Sequence, residues 1–467
     1  MKSNDALLAA WDETLARKGD APAILATSGE VLRTFEGIET REGAFKAKID
    51  MFEPRSVVAI QIGNHPDWPS IFLACLRKQI AVVPLDISIS AQESDAALKI
   101  CNAAGVVAGG RDLEVLPLRT AAATKRWNND PPSLLKLTSG TTGTPRAIRF
   151  RSDQLLADCD NICQTMGISD VDLNFGVIPI SHSYGFSNLL TPLLVRGVPL
   201  VLSRDQTPRA VLDDLARSEA TVFPGMPIFY QAFCEIENLP ASPKLRLCIS
   251  AGAPLSAAIA KKFYEKFNRS IHSFYGSSEC GGICYDRDGT TFEDGFVGTP
   301  MEDVDLALVD PMAVSSQVRV RSAAVADGYF PETDAEKLSD GVFVPDDLLV
   351  RHGNGFKIVG RISDVINVAG KKVHPAEIEA QLARFPGVRQ AIVFGRKSSR
   401  RNEEIAACVV ASISVRETDL LEFCRTHLSG WQAPKRIFMV DEIPVNERGK
   451  ISRRELAMRF SDEAEIS

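Results

Sequence analysis

The sequence predicts an α/β fold with a large N-terminal domain of two βαβ-type subdomains, a small β subdomain and a small α+β C-terminal domain. Three observations support this prediction. The chain has 467 residues, which is too long for one ordinary hydrophobic core. Apolar runs of strand character alternate with amphipathic helical segments, which is typical of βαβ units and a parallel sheet. After about residue 298 the pattern changes to short alternating segments, and a compact α+β pattern follows.

The elements of the large domain are predicted from hydrophobic periodicity. A helix is predicted over residues 1–25, where four large apolar residues recur at helical spacing: Leu7, Leu8, Trp11 and Leu15. The first series has strands at 57–62, 80–85 and 105–107, with helices at 66–76 and 92–101. Ser152 is predicted to cap a helix that ends at Gly167. The second series has strands at 175–180, 199–202, 220–223 and 245–250, with helices at 187–196 and 210–218.

The second half of the chain predicts two smaller parts. Residues 298–359 predict a small β subdomain, and the polar sequence Gly360-Arg361-Ile362-Ser363-Asp364 after it is typical of a domain boundary. We therefore expect an N-terminal domain over 1–361 and a C-terminal domain over 362–467. The C-terminal pattern predicts a helix from Pro375, strands near Ala391, Ala406 and Ile437, a helix near Leu420 and a short terminal helix.

Composition excludes several classes of function. The chain is 45% hydrophobic and 24% charged, and its net charge of −7 with a pI near 5.6 gives no reason to expect nucleic-acid binding. No signal-type segment and no run of about 18 apolar residues is found, so we expect a cytoplasmic protein that is not inserted in a membrane. The ten cysteines are scattered and lack zinc-ligand spacing, which predicts reduced, mostly buried thiols.

A loop rich in hydroxyls and glycines follows the apolar run that begins at Leu134. Its residues Thr138-Ser139-Gly140-Thr141-Thr142-Gly143-Thr144-Pro145-Arg146 offer hydroxyl and backbone N–H donors with one positive charge, which suits a nucleotide phosphate. The spacing differs from that of a Walker loop. Because residues 147–150 alternate apolar and basic side chains, the loop is predicted to be the tip of a hairpin. The alternative is a surface turn without a ligand.

Two later turns carry further candidate residues. Ala251-Gly252-Ala253-Pro254 follows a predicted buried strand, and ligands of such sheets bind at the carboxyl ends of the strands. Tyr275-Gly276-Ser277-Ser278-Glu279 combines an aromatic ring that can stack on a base, two hydroxyls and a carboxylate that can hold Mg²⁺. Together they predict a nucleotide site at this edge of the sheet.

Taken in order, these motifs resemble those of the adenylate-forming superfamily, which includes acyl-CoA synthetases, stand-alone adenylation domains and luciferases. Thr138 to Arg146 resembles the family's phosphate loop, and Tyr275 to Glu279 resembles its Tyr-Gly-x-Thr-Glu motif. Gly360-Arg361-x-x-Asp364 with residues 370–379 resembles the hinge signature, and Arg448-Gly449-Lys450-Ile451 resembles the catalytic-lysine motif. The resemblance implies an AMP-forming acid–thiol ligase, in which a carboxylate attacks the α-phosphate of ATP and a thiol then displaces AMP.

The resemblance also implies a role for each matching residue. Lys450 would bridge the α-phosphate and the acid, Ser278 would donate to the α-phosphate, Glu279 would bind Mg²⁺, and Asp364 would be the pivot of the C-terminal domain. Asp347 would accept the ribose hydroxyls near Arg361, and Gly370 would lie beside the tunnel for the thiol. The β/γ-phosphates would be held by Thr138, Ser139, Gly140, Thr141, Thr142, Gly143 and Arg146, and adenine by Gly252, Ala253, Pro254 and Tyr275. Several also have a plainer alternative: Glu279 as a surface carboxylate, Asp347 as a turn residue, Tyr275 as a core residue, Lys450 as a solvated lysine and Asp364 as a linker residue.

Some positions depart from the family pattern. Arg146 and Asn367 stand where the family often has lysine, and Ser278 replaces threonine. Pro345-Asp346-Asp347 replaces Thr-Gly-Asp, so the choice of Asp347 over Asp346 depends on the alignment of the next residue.

The acid and the acceptor are constrained less strongly. The stretch from Ile178 to Phe186 corresponds to part of the acid pocket and contains no acidic residue, which favours a fatty or aryl acid over an amino acid. His182 within it matches the family's gate residue. CoA is the first choice of acceptor, and the phosphopantetheine of an acyl carrier protein is the alternative. A basic run, Arg396, Lys397, Arg400 and Arg401, could dock either acceptor or be a solvated loop. A non-catalytic nucleotide sensor is the alternative from another class.

Overall fold

A computed structural model describes residues 5–110, 112–118, 127, 131–138, 146–242, 244–368, 371–398, 402–444 and 452–460. The chain separates into two compact units. The first unit comprises Met1–Leu308, Arg319–Pro345 and Arg351–Lys357, and the second comprises Val309–Val318, Asp346–Val350 and Ile358–Ser467. The predicted boundary between residues 361 and 362 stays a prediction, as does the pivot at Asp364.

The helices are amphipathic or fully buried segments. They are α1 (Ala6–Lys18), α2 (Phe35–Lys48), α3 (Trp68–Arg77), α4 (Ala91–Cys101), α5 (Ser152–Met166), α6 (Ser183–Gly185), a π-helical turn (Phe186–Leu190), α7 (Thr191–Arg196), α8 (Pro208–Arg217), α9 (Pro227–Glu235), α10 (Ala257–Phe267), a 3₁₀ turn (Ile362–Asp364), α11 (Pro375–Leu382), α12 (Glu417–His427) and α13 (Arg453–Arg459).

The strands up to residue 250 are β1 (Pro22–Ala26), β2 (Val31–Thr34), β3 (Val57–Gln61), β4 (Ala81–Pro84), β5 (Gly105–Gly109), β6 (Leu113–Pro117), β7 (Leu134–Thr138), β8 (Arg146–Phe150), β9 (Asn174–Gly176), β10 (Leu200–Leu202), β11 (Val222–Gly225) and β12 (Leu247–Ser250). The later strands are β13 (Ile271–Ser277), β14 (Gly281–Tyr285), β15 (Phe296–Pro300), β16 (Asp305–Leu308), β17 (Val318–Arg321), β18 (Gly328–Phe330), β19 (Leu338–Ser339), β20 (Val342–Phe343), β21 (Asp347–His352), β22 (Gly355–Arg361), β23 (Ile366–Val368), β24 (Lys371–Val373), β25 (Val388–Ser398), β26 (Asn402–Ala411) and β27 (Arg436–Met439).

Two large sheets organise the first unit. One has the order β18-β8-β7-β4-β3-β5-β6, and its central strands β7, β4, β3 and β5 are parallel. The other contains the parallel series β1-β10-β9-β11-β12-β13. The central strands are almost wholly buried, because helices cover both faces of a parallel sheet. The predicted hairpin is confirmed, since β7 and β8 pair antiparallel from Leu134 opposite Phe150 to Thr138 opposite Arg146.

Several predicted boundaries were wrong. The first helix ends at Lys18, because Gly19 takes a positive φ of 52° and a strand then begins at Pro22. The strand predicted at 175–180 is only Asn174–Gly176. The helix predicted at 187–196 begins earlier, at residue 183, and includes a π-helical turn.

Helix α5 shows a different start from the predicted one. Ser152 is its first residue, Arg151 holds the cap position, and Arg151 N donates to the side chain of Gln154 at 2.9 Å. The hydroxyl of Ser152 instead donates to Asp5 Oδ2 at 2.6 Å. The predicted end is confirmed, because Gly167 adopts the left-handed conformation.

The region predicted as a small β subdomain contains a four-stranded sheet, β16-β17-β20-β19. Strand β18 of the same region instead pairs antiparallel with β8, with Tyr329 opposite Ile148. This pairing brings Tyr329 beside the hairpin that bears the phosphate loop. Sequence periodicity gave no sign of it, because the pairing joins residues almost two hundred positions apart.

The second unit contains a sheet in which β24, β23, β26 and β25 are neighbours and β27 pairs parallel with β26. Helices α11 and α12 pack on an apolar cluster that includes Ile378, Val393 and Leu420. The predicted order of strands and helices in this part of the chain is confirmed.

All ten cysteines are free and buried, as predicted. Burial raises the pKa of the thiols of Cys75, Cys101 and Cys248 to about 12, so these thiols stay protonated at neutral pH. Among the helices that the structure describes, none is both long and apolar enough to cross a membrane.

Candidate active site

Two of the predicted nucleotide-binding turns leave neighbouring strands of the first unit. Strands β12 and β13 are adjacent and parallel, with Ser250 opposite Ser273. The turn with Gly252, Ala253 and Pro254 follows β12 and is exposed, whereas Tyr275 lies buried in β13. Gly252 has a φ of 84°, and a Cβ there would meet no atom within 4 Å. The backbone therefore favours glycine beside open space, while adenine binding at this edge stays a prediction.

Ser278 and His182 come together through the intervening Ser183. The hydroxyl of Ser183 donates to Ser278 Oγ at 2.9 Å, which links the start of α6 to the turn after β13. The side chain of His182, the neighbour of Ser183, is 59% exposed. The chain neighbour of the predicted gate residue thus contacts the predicted α-phosphate donor, although they are almost a hundred positions apart.

Glu279, the predicted magnesium ligand, is held by two neutral hydroxyl groups. Tyr329 Oη donates to Glu279 Oε1 at 3.0 Å, and Ser277 Oγ donates to Glu279 Oε2. Neutral donors orient a carboxylate and leave its negative charge available to a cation. Burial, with the neighbouring Glu279 charge adding to it, raises the pKa of Tyr329 well above its usual value, so this hydroxyl remains a donor at neutral pH.

Arg146 lies at the other side of Tyr329. Its guanidinium stands over the Tyr329 ring, 4.2 Å from the ring centre, and its Nη1 is 3.8 Å from Asp334 Oδ2. Both contacts fix the side chain that follows the phosphate loop. Thr138, at the other end of the loop, donates to the carbonyl of Arg146 at 3.4 Å. The predicted phosphate-binding residues Ser139, Gly140, Thr141, Thr142 and Gly143 lie outside the described residues.

Asp86 is a site neighbour that the sequence analysis missed. His182 Nε2 is 3.3 Å from Asp86 Oδ2, and Ser181 Oγ donates to the same oxygen at 3.1 Å. The hydrogen bond with His182 is the largest reason why the pKa of Asp86 lies well below its usual value, and two hydrogen bonds from Ser88 add to it. Asp86 follows β4, so the rule that ligands bind at strand ends could have identified it.

Lys136 is a buried lysine that interacts electrostatically with Glu279. Lys136, in β7, is 4% exposed, and its Nζ has no hydrogen-bond partner among the described residues. The ammonium lies 4.5 Å from the ring centre of Phe150 and 5.9 Å from that of Phe186. Burial lowers the pKa of Lys136, and the charges of Asp158, Cys280 and Glu279 partly oppose that shift.

The remaining predicted residues belong to the second unit. Arg361 Nε donates to Asp347 Oδ1 at 2.7 Å, so these two predicted ribose-site residues are in contact. Asp364 forms an ion pair with Arg453, in which Nη1 lies 2.7 Å from Asp364 Oδ2. Lys450 and Gly370 lie outside the described residues.

The proposed basic docking run is only partly available to solvent. Arg396 is 6% exposed, its Nη2 lies 3.6 Å from Glu404 Oε1, and its guanidinium is 5.8 Å from the Phe438 ring centre. Lys397 is exposed, whereas Arg400 and Arg401 lie outside the described residues. Arg396 was therefore wrongly included among the solvent-facing residues.

The donor set fits Mg²⁺ better than a soft metal. Among the described residues, no group of three or more His, Cys, Asp or Glu side chains could hold a metal ion. Mg²⁺ commonly uses one or two carboxylates together with substrate phosphates and water, so one Glu279 carboxylate beside a phosphate loop is sufficient.

Comparisons with known proteins identify the family of the chain. Residues 12–330 match the model of the AMP-binding enzyme family, and residues 377–450 match the model of the AMP-binding enzyme C-terminal domain. A feruloyl-CoA synthase from Amycolatopsis is 28% identical over 87% of this chain and 89% of its own length. A 3,4-dihydroxybenzoate–[aryl-carrier protein] ligase from Bacillus anthracis is 27% identical over 70% of this chain and 74% of its own length.

A solved structure shares the fold. The crystal structure of ATP-bound MatB from Rhodopseudomonas palustris superposes with a TM-score of 0.85 at 22% identity, over 97% of this chain and 99% of that one. The predicted fold class is confirmed, and the matched regions cover both the phosphate-loop part and the C-terminal part of the sequence. The chain belongs to the AMP-binding enzyme family of the adenylate-forming superfamily.

Proposed function

We propose that this protein activates a fatty or aryl carboxylic acid with ATP, forming an acyl-adenylate and pyrophosphate, and then transfers the acyl group to the thiol of CoA. The observation that carries the proposal is the cluster at the end of β13. There Glu279 contacts Tyr329, whose ring contacts Arg146 at one end of the phosphate loop, and Ser278 precedes Glu279 in the chain and accepts a hydrogen bond from Ser183. Membership of the AMP-binding enzyme family supports the same reaction class.

The chemistry explains why these groups are needed. A carboxylate that attacks ATP brings two anions together, so the site has to neutralise charge and align the reacting atoms. Arg146 contributes a fixed positive charge, and Ser278 offers a neutral donor. Glu279 is the residue that would hold Mg²⁺, which when bound offsets phosphate charge. Lys450 would supply a compact ammonium to the α-phosphate and the acid, as the family resemblance implies.

The acid is proposed to be fatty or aryl. The sequence supports this class because residues 178–186 contain no carboxylate that could pair with the ammonium group of an amino acid. The structure, however, places the carboxylate of Asp86 beside His182. Asp86 already accepts hydrogen bonds from Ser88 and Ser181 in addition to its contact with His182, so it is not an unpaired partner for an ammonium group. The similarity to a feruloyl-CoA synthase and a dihydroxybenzoate ligase supports an aryl acid.

The acceptor is proposed to be CoA, with a carrier protein as the second candidate. The similarity to a feruloyl-CoA synthase favours CoA, and the similarity to an aryl-carrier protein ligase favours the second candidate. Arg396 is buried, so there is less reason to expect that the basic run binds either CoA or a carrier protein. Ten free, buried thiols support the proposal that the enzyme works in the cytoplasm.

Pyrophosphate release tests the first half-reaction. Benzoate, ferulate, 3,4-dihydroxybenzoate, octanoate and a set of amino acids would be supplied with ATP and Mg²⁺, and release from an aryl or fatty acid is expected. Pyrophosphate release with amino acids alone would contradict the proposal that the substrate is a fatty or aryl acid. No release from any acid would favour a nucleotide sensor. CoA or a holo carrier protein would then be added while AMP is followed.

Replacement of the predicted catalytic lysine separates the two half-reactions. Lys450→Ala is expected to reduce pyrophosphate release about 100-fold or more, because the ammonium acts on the α-phosphate. The variant is expected to convert supplied benzoyl-adenylate and CoA to the thioester at a rate near that of the wild type, because the family resemblance implies that the C-terminal domain turns at Asp364 and withdraws the lysine after adenylation. Equal loss of both half-reactions would contradict this role.

A further inference from the structure

The guanidinium of Arg453 makes four hydrogen bonds within the second unit. Nη1 donates to Asp364 Oδ2 at 2.7 Å, and Nη2 donates to both carboxylate oxygens of Glu379 at 2.8 and 3.1 Å. Nε donates to the carbonyl of Val393 at 2.9 Å. One side chain at the start of α13 thus contacts the 3₁₀ turn, α11 and β25.

This cluster is better defined than an ordinary surface ion pair. The side chains of Arg453, Asp364 and Glu379 are 28%, 24% and 18% exposed. Glu379 Oε1 also accepts from the backbone N–H of Val393 at 2.7 Å, which fixes the carboxylate from a second direction. A planar guanidinium can serve three acceptors at once, which a lysine ammonium cannot do with the same geometry.

The charges make Arg453 necessary for the cluster. One cation pairs with two carboxylates, so its loss would remove the positive charge that Asp364 and Glu379 share. The 3₁₀ turn would then lose its ion pair with the first residue of α13.

Arg453 is also close in sequence to the predicted catalytic lysine. Lys450 lies three positions before it, and three residues span at most about 11 Å between Cα atoms. The chain itself limits how far Lys450 can be from α13, and the Arg453 contacts fix α13 against the 3₁₀ turn. The same anchor reaches Asp364, which the family resemblance makes the pivot of the C-terminal domain.

We propose that Arg453 is a positioning residue that fastens α13, the helix that follows Lys450 in the sequence, to the predicted pivot, so that rotation at Asp364 moves α13 together with the pivot. The proposal rests on the proposed function, because it presupposes that Lys450 acts in adenylate formation. Because the Asp364 carboxylate is held within the second unit, rotation is expected at the backbone bonds that precede its Cα.

The test compares Arg453→Met with two other variants. Arg454→Met is the matched control, because Arg454 is the next residue of the same helix and is exposed. Arg453→Lys keeps the positive charge but lacks the planar guanidinium that donates to several acceptors, so its activity is expected to lie between those of Arg453→Met and the wild type. Pyrophosphate release without thiol is expected to fall about 10- to 100-fold in Arg453→Met, because a misplaced catalytic group loses rate on this scale. The KM for ATP and the conversion of supplied benzoyl-adenylate are expected to stay within about threefold of the wild type.

Hydrogen exchange gives a readout that does not depend on activity. Peptides that cover residues 362–368 and 453–460 are expected to exchange faster in Arg453→Met, whereas peptides of the first unit and the Arg454→Met protein should be unchanged. Equal loss of both half-reactions, or unchanged exchange in those peptides, would overturn the proposal. If the wild type released no pyrophosphate with any acid, the proposed function would fail, and exchange would still decide whether Arg453 holds the turn.

Discussion

Two carboxylates with predicted roles are held by opposite kinds of partner. Glu279, in the first unit, accepts hydrogen bonds from the neutral hydroxyls of Tyr329 and Ser277. Asp364, in the second unit, pairs with the guanidinium of Arg453. Neutral donors orient a carboxylate and leave its negative charge in place. A guanidinium also orients the carboxylate, but it offsets the charge as well. The difference suits their predicted roles, because Glu279 has to attract a cation, whereas Asp364 has to hold a structural contact.

Removing the charge from each carboxylate tests this comparison most strongly. Glu279→Gln keeps the shape and is expected to reduce pyrophosphate release about 100-fold or more, because the residue would no longer attract a divalent cation. Asp364→Asn is the counterpart, and a loss below about tenfold is expected, because the amide oxygen can still accept from Arg453. Pyrophosphate release at several Mg²⁺ concentrations would be measured for both. Similar losses of pyrophosphate release in the two variants would show that Glu279 and Asp364 do not differ as a cation ligand and a structural anchor.

Removing one neutral donor gives a smaller effect. Tyr329→Phe deletes the hydroxyl that donates to Glu279 Oε1, and pyrophosphate release is expected to fall about tenfold. The Mg²⁺ concentration for half-maximal activity should rise, since the carboxylate is less well oriented. Tyr264→Phe, on the exposed face of α10, is the control. An unchanged Mg²⁺ dependence would argue against an orienting role for Tyr329.

The smallest effect is expected at the buried cation, Lys136. Lys136 is 4% exposed, and burial lowers its pKa below 10.5, so the folded protein binds this proton less tightly than the unfolded chain does. Lys136→Met is therefore expected to raise the free energy of unfolding at pH 7 by about 1 kcal/mol. Between the lowered pKa and about 10.5 the wild type gains stability with pH, so the advantage of the variant should shrink there.

Urea unfolding at pH 7 and pH 10 would measure this difference. Lys261→Met, at an exposed position of α10, is the control and should show little change at either pH. A variant that is less stable than the wild type at pH 7 would mean that the Lys136 charge is compensated by Asp158 and Glu279 better than we infer.

Local patterns were sufficient for much of the architecture. Apolar runs identified the central strands β3, β4 and β12, because a strand buried on both faces needs a continuous apolar sequence. The turn residues between β7 and β8 predicted the hairpin, which the register confirms. Element ends were less certain, as the short strand β9 shows, because hydrophobic residues continue past the last paired residue.

The candidate site was predicted in part. Ser278, Glu279 and Arg146 were chosen from local motifs; in the structure Tyr329 connects Glu279 to Arg146, and Ser183 connects Ser278 to the start of α6. Neither connecting residue stands in a local pattern that indicates such a role. Arg453 is a similar case, because its partners Asp364 and Glu379 lie 89 and 74 positions away.

The sequence by itself therefore determined the alternation of strands and helices, the family motifs and the types of chemical group available. Only the tertiary structure decided which donors reach which carboxylates. The physical reason is range, because periodicity and turn chemistry act over a few neighbouring residues. The partners of Glu279 and Asp364, in contrast, depend on how strands and helices distant in sequence pack together.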